Sequence, residues 1–375
     1  MSPAVSDIKA KYSKKDILSI KCKLKKSIDI EKKKKNFYRK FRISEKDFKI
    51  FNDSASNFEW LTNQEINSII EYGNSIEDKL RFAFHRFRFN FLPSIRITPE
   101  IPAYLLIEPT SICNMRCPMC FQTDKSFTNK EFMGIMDFNF FKSIIDEAEY
   151  EGVGSITMAS RGEPTLHPNL INMLEYCKGK FFEIKMNTNG SKLTLDLSKA
   201  LLSTLDHIVF SIDSHILEEY ESIRVGGKFK KVFENVKEFW QLRNSQEFIN
   251  KKIRVSISGV KVRDSQDPEA FKSFWENYSD DAYLMKAEER WNTYFNPKHP
   301  DLIKSCIYPW ERLYIWHDGQ INTCDVDYKS LLSPGNIRDL GGIKNAWDKL
   351  DKLRRKHLNG LRNEVLPCDR CGVSH

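Results

Sequence analysis

Between residues 103 and 290, short apolar runs alternate with longer stretches whose apolar residues fall three or four positions apart. The short runs, AYLLIEP, SITMAS, FEIKMNT, HIVFSID, IRVSISGV and DAYLM, predict six strands. Between them FNFFKSIIDEAEYEG, NLINMLEYCKG, LDLSKALLSTL, KFKKVFENVKEFWQLRN and PEAFKSFWENY predict helices, the first capped by Asp137 and closed by Gly152. Alternating β and α units of this length imply a parallel sheet with right-handed crossovers. Six units predict an α/β fold built on a partial (β/α)6 TIM-like barrel, not a closed eight-stranded one. Such folds place their sites at the C-terminal ends of strands. One mouth then collects Cys113–Cys120 after the first strand, Arg161–Pro164 after the second and Asn187–Gly190 after the third. Ser211 and Asp213 end the fourth.

The flanks have other rhythms. Residues 36–91 interleave aromatic and basic side chains, as in FYRKFRI and RFAFHRFRFNF, over a helical period. Two or three helices packing Phe and Tyr onto a larger body are expected. The same interleaving can bind nucleic acid by stacking and charge; with no nucleic-acid motif beside it, core packing is the preferred reading. Pro93, Pro99 and Pro102 mark a linker. After Trp291 the run CIYPWERLYIWHDGQINTCDVDY predicts a hairpin turning at Asp318–Gly319, followed by a helix, IKNAWDKLDKLRRKHLNG, and the tail LPCDRCGVSH. The chain therefore divides into a basic, mostly helical extension (1–100), the barrel (101–290) and a small α+β domain of hairpin plus helix (291–375).

Composition narrows the class. Hydrophobic residues make up 41% of the 375 and aromatics 12%, enough for a filled core. No apolar run approaches the roughly 18–20 residues of a membrane span. The opening MSPAVSDIKAKYSKKD has no apolar core of a signal peptide, so a reducing cytoplasm is expected. The net charge of +8 is uneven: the first 50 residues hold 17 Lys/Arg against 6 Asp/Glu. Such an arm attracts nucleic acid, phosphorylated substrates or membrane surfaces, or is a solvated tail; the tail is preferred.

Seven of the nine cysteines fall in two groups, Cys113, Cys117 and Cys120 as C-x3-C-x2-C, and Cys306, Cys324, Cys368 and Cys371 near the end. Cys177 lies on the apolar face of a helix as a small hydrophobe, and Cys22 sits in the lysine-rich arm. A fully protein-ligated 4Fe–4S cluster takes four thiolates. Three leave one iron open to an exogenous ligand, which suits a cluster that does chemistry. Taken without context, the first group also fits an incomplete zinc site, and the second a four-cysteine zinc ribbon.

C-x3-C-x2-C after the first of six β/α units resembles the radical S-adenosylmethionine (SAM) enzymes. The resemblance, from about Ala103 to Cys371, implies that SAM chelates the open iron at Cys113, Cys117 and Cys120 and is reductively cleaved to abstract hydrogen from substrate. Arg161-Gly162-Glu163-Pro164 is similar to the family's G-G-E-P motif, with Arg for the first Gly, and Glu163 would hold the SAM amino group. Ser211 and Asp213 match positions that contact its ribose or carboxylate, with Asn189 at the third strand end. Arg224 is similar to an arginine that pairs with the carboxylate, and Met119 fills the usual aromatic position at adenine. The C-x12-G-x4-C spacing of Cys306, Gly319 and Cys324 resembles the start of the SPASM/twitch extension. With Cys368 and Cys371 it implies one auxiliary, four-cysteine 4Fe–4S cluster, an electron carrier favouring net oxidation.

The implied electron donor is of flavodoxin or ferredoxin type, and the implied substrate a small polar sugar-like or aminocyclitol-like molecule. Maturation of a ribosomally made peptide comes next, then epimerisation or rearrangement, RNA modification, and a zinc-binding adaptor. Glu288, Glu289, Trp291, Asp325 and Asp327 are positional candidates for substrate acid–base chemistry.

Overall fold

The computed structural model describes residues 11–372 apart from 74, 252 and 288–291. Its sheet contains β1 (Tyr104–Ile107), β2 (Ser155–Met158), β3 (Glu183–Thr188), β4 (His207–Ser211), β5 (Arg254–Lys261), β6 (Asp281–Lys286), β7 (Leu313–Ile315) and β8 (Ile321–Asn322). The order is β6-β5-β4-β3-β2-β1-β7-β8, with β1 to β6 parallel to their neighbours. All six expected barrel strands are present. Helices Phe138–Glu151, Leu170–Cys177, Leu195–Thr204, Phe229–Arg243 and Pro268–Trp275 fill the crossovers, joined by a short one at Leu217–Ile223. Asp137 caps the first, accepting from the Phe140 N–H, and Gly152 ends it at φ +83°.

The hairpin does turn at Asp318–Gly319, where Gly319 has φ +90° and its N–H reaches the Trp316 carbonyl. Its first strand, however, continues the barrel sheet: β7 lies parallel to β1, and β8 returns antiparallel beside it. Leu313 and Ile315 stand opposite Leu105 and Ile107 in that register, and all four lie in the core. Without β7, the edge of β1 would expose backbone groups beside an apolar surface. The segment bearing the second cysteine group is thereby seated next to the strand that launches the first.

The N-terminal extension has a core of its own, centred on Phe37, Phe41, Phe51, Phe58, Phe84 and Phe87, to which the barrel contributes Phe182. Phe51 and Phe84 meet edge to face at 4.9 Å. Among the described residues, Lys14–Glu31 is followed by four α-helices within 36–91, Phe37–Phe41, Glu45–Ser54, Asn63–Glu71 and Ile76–Arg86, where two or three are expected, and the last runs on into a π-helical turn at Phe87–Phe91. Caps at Ser13, Ser44, Thr62 and Ser75 divide what reads as longer periodic runs.

The interleaved basic residues serve docking. Arg42 donates to the Val153 and Lys180 carbonyls at 2.8 and 2.7 Å. Buried Arg88 donates to the Arg42, Gly152 and Ile101 carbonyls at 2.7, 3.1 and 2.8 Å. These contacts lie at the N-terminal ends of β2 and β3, so the extension closes the end of the barrel opposite the mouth. Among the described residues, no helix is long and apolar enough to cross a membrane.

Candidate functional site

The first cysteine loop leaves β1 at Glu108 and is held from several sides. The Glu163 N–H donates to the Ile112 carbonyl at 2.9 Å. Gly162 allows this approach: a Cβ there would come within 2.3 Å of the Thr110 carbonyl oxygen and 2.6 Å of that of Ile112. On the second side Asn189 Nδ2 donates to Asn114 Oδ1, and Asn114 Nδ2 to Ser191 Oγ, both at 3.0 Å. On the third, the Arg116 N–H reaches the Val225 carbonyl at 2.8 Å, with Gly226 packed against the Asn114 carbonyl. The loops at 162–163, 189 and 224–226, singled out from the sequence, thus converge on one cysteine loop.

Cys117 is buried and Cys113 and Cys120 are half-buried. Burial, reinforced by the charges of Glu163 and Cys117, pushes the Cys113 thiol up to about 11. Burial and the other two cysteines push Cys120 up to about 12. Cys117 is also raised by burial, with Arg224 opposing. Thiols raised in this way stay protonated near neutral pH, so a centre that binds them as thiolates displaces those protons. Among the described residues, no three His, Cys, Asp or Glu side chains converge on a single ion. A cubane cluster takes one thiolate at each corner and does not require such convergence.

Around the loop, Arg224 Nε stands 2.5 Å from Asp213 Oδ2, and Nη2 donates to Oδ1 at 3.0 Å. Asp213 Oδ1 also accepts from the Val260 N–H at 2.8 Å. Glu163 is a staple: its oxygens accept from Thr165 N–H and Oγ1 (3.1 and 2.6 Å), Thr188 Oγ1 (2.7 Å) and the Asn189 N–H (2.7 Å). It ties the ends of β2 and β3 together. Buried Pro164 opens a 3-10 turn, and Met119 is half-buried beside the cysteines.

Sequence reasoning missed one large feature of this mouth. Arg161 forms a bidentate pair with Glu108, both bonds 2.7 Å, and its third nitrogen donates to the Tyr328 carbonyl at 2.9 Å. Its guanidinium lies 4.2 Å from the Trp316 ring centroid. His317 Nδ1 meets the same carboxylate at 3.1 Å. Burial alone raises the Glu108 carboxyl, but Arg161 and His317 outweigh it and hold it at about 2. The available signal was a lone acid at the end of a strand and a lone base at the end of its neighbour.

The strand register fixes what faces the barrel interior, because paired residues of parallel strands share a face. Leu106, Thr157, Lys185, His207 and Arg254 form one tier, Asn187, Val209, Ser256 and Asp281 the next, and Ser211, Ser258 and Tyr283 the one nearest the mouth. Tyr104 and Thr157 hydroxyls bond to each other, His207 Nε2 and Ser256 Oγ lie 2.8 Å apart, and Arg254 pairs with Asp281 at 2.7 Å. The opposite face, with Ile156, Met186, Phe210 and Val255, is the apolar layer under the helices. The interior is therefore dominated by hydrogen-bonding groups.

Cys306, Cys324, Cys368 and Cys371 line one small pocket, together with Tyr308, Val326, His357 and Arg362. Burial pushes the Cys306 thiol up to about 11, with the Cys371 charge adding and Arg362 opposing. Residues separated by 65 positions thus meet around one space. Of the acid–base candidates, Asp327 is a loop staple, accepting from Tyr294 Oη (2.7 Å) and the Leu331 and Leu332 N–H groups (3.0 and 2.8 Å). Asp325 is half-buried. Glu288, Glu289 and Trp291 lie outside the described residues. Cys177 is buried in the barrel core and Cys22 is exposed.

Residues 107–243 match the model of the radical SAM superfamily, a span that includes the cysteine loop, Gly162–Pro164, Asn189, Asp213 and Arg224. Over that span, about a third of its length, the chain is similar to the radical SAM superfamily. Over 112 residues it is 38% identical to a tungsten-containing aldehyde ferredoxin oxidoreductase cofactor-modifying protein of Pyrococcus furiosus, covering 29% of this chain and 30% of that one. It is 28% identical over 146 residues to a GTP 3',8-cyclase of Desulforamulus reducens, covering 37% and 43%. It is also 30% identical over 132 residues to a mycofactocin maturase of Mycobacterium tuberculosis, covering 35% and 32%. The matches thus span less than half of these relatives' own length. Among solved structures, BtrN in complex with AdoMet and 2-DOIA shares the fold with a TM-score of 0.50 at 18% identity, over 73% of this chain and 94% of that one.

Proposed function

We propose that this radical SAM enzyme oxidises a small polar, sugar-like or aminocyclitol-like substrate, using two iron–sulfur centres with separate tasks. The observation that carries this reading is the disposition of seven cysteines, three on a loop at the barrel mouth and four lining one pocket. Cys113, Cys117 and Cys120 would hold a 4Fe–4S cluster with one iron open to SAM; Cys306, Cys324, Cys368 and Cys371 would close around an auxiliary one. When bound, the first supplies the electron that splits the SAM sulfonium and starts hydrogen abstraction, and the second accepts the electron a net oxidation leaves over.

This chain's residues frame that chemistry. Gly162, Glu163, Pro164 and Asn189 fix the strand-end loops against the cysteines, and Met119 flanks them. Arg224, anchored by Asp213, places a positive charge against Cys117. Ser211, with Ser258 and Tyr283, gives the interior nearest the mouth hydroxyls suited to a polyhydroxylated substrate. The exogenous electron donor would be a flavodoxin or ferredoxin. A second reading, peptide maturation, draws on the likeness to a mycofactocin maturase. The helical make-up of the described residues before Tyr104, with their arginines engaged in docking, weighs towards the small substrate.

The test compares two variants after anaerobic reconstitution. Cys117→Ser abolishes reductive SAM cleavage while retaining the iron of the C-terminal site. Cys368→Ser keeps SAM cleavage but loses full turnover, read as 5'-deoxyadenosine released per product formed. Equal loss of SAM cleavage in both contradicts the division of labour.

A further inference from the structure

Tyr220 belongs to the short helix Leu217–Ile223 and is fully buried, yet its hydroxyl has no hydrogen-bond partner among the described residues. A buried hydroxyl left unpaired is unfavourable. Here its position supplies a reason to keep it. The charged groups acting on this hydroxyl are Arg224, Cys117, Asp213 and Glu221, so it lies in the same electrostatic neighbourhood as one of the three cysteines at the mouth. The backbone around it leaves little freedom. The Arg224 N–H bonds the Tyr220 carbonyl at 2.7 Å, and the ring packs on Phe229 at 5.4 Å. Gly227 approaches so closely that an added Cβ would stand 3.0 Å from both Tyr220 Cε1 and Met115 Cε, the latter inside the cysteine loop. The phenol is thus wedged between its own helix and the loop that carries Cys117.

We propose that the Tyr220 hydroxyl donates a hydrogen bond to sulfur at the Cys117 corner of the iron–sulfur centre, and thereby sets how readily that centre is reduced. The proposal rests on the three-cysteine reading above. Hydrogen bonds to cluster sulfur favour the more negative, reduced form and raise the reduction potential. Arg224 already supplies positive charge at this corner, opposing the effect of burial on Cys117. Tyr220 is a positioning residue in this account, one that acts through sulfur and not on substrate.

The test is a potentiometric titration of the full-length, anaerobically reconstituted protein without SAM, following the electron paramagnetic resonance (EPR) signal of the reduced three-cysteine centre. Tyr220→Phe removes only the hydroxyl. Phe229→Leu disturbs the same ring packing and keeps the hydroxyl. At the wild-type midpoint, Tyr220→Phe lowers the reduced-to-oxidised ratio by roughly threefold with unchanged iron and sulfide content, while Phe229→Leu leaves the ratio as it was. Three results overturn the proposal: an unchanged midpoint in iron-loaded Tyr220→Phe, an equal shift in Phe229→Leu, or a shift seen only once SAM is added, which assigns the hydroxyl to SAM. A wild-type protein that takes up no iron refutes the functional reading itself and is distinct from all three.

Discussion

At the scale of single residues, Arg161 shows how a departure from a motif can be structural. At the first position of the stretch that resembles a G-G-E-P motif, the chain places a guanidinium that neutralises Glu108 and holds the Tyr328 carbonyl. Breaking a buried pair from one side leaves an uncompensated charge, so Arg161→Gly should cost about 3–5 kcal/mol. The pH dependence has a definite sign. Glu108 is held at about 2 in the folded protein, below its ordinary 4.5, so its contribution is present above about 4.5 and is lost as pH falls towards 2. Urea unfolding should therefore show the largest gap between wild type and Arg161→Gly near neutral pH, narrowing in acid. A gap that is constant or widens in acid contradicts the ion-pair account. The cysteines, Gly162 and Asn189 were legible because spacing and residue type alone limit their chemistry. The Arg161–Glu108 pair was not, because nothing local to either residue says that neighbouring strand ends will bring them together.

Elements were legible to different degrees. The six barrel strands and the Asp137 and Gly152 caps follow from period and punctuation. The N-terminal region followed only in kind: its polar caps split the aromatic period into shorter helices, and helix count depends on caps more than on hydrophobicity. The place of β7 beside β1 was hidden altogether, since strand order is decided by which apolar edge remains open once the sheet forms. The aromatic–basic interleaving resolves into phenylalanines that pack and arginines that bond backbone carbonyls at the base of the barrel. Arg88→Ala should orphan three such carbonyls beside a buried interface and cost roughly 2–4 kcal/mol. Limited proteolysis should then cut first between residues 36 and 100, ahead of the barrel. Cleavage that begins in the barrel instead would show that the extension docks by other means.

For the molecule as a whole, one sheet carries both cysteine groups. The loop after β1 bears the first, and the hairpin paired to β1 leads into the second through Cys324. Arg161 and Trp316 join the two regions through a buried contact, so each group is held by the scaffold that holds the other. The polar barrel interior opens towards the three-cysteine loop, where the proposed cluster would sit. The central claim is that this centre has an open corner which SAM occupies. EPR of the reduced, anaerobically reconstituted Cys368→Ser variant, recorded before and after adding SAM, addresses it most directly. The account predicts a clear change in the cluster signal on adding SAM, one that is missing when Cys117→Ser is introduced as well. A spectrum that ignores SAM, or a change that survives without Cys117, contradicts it.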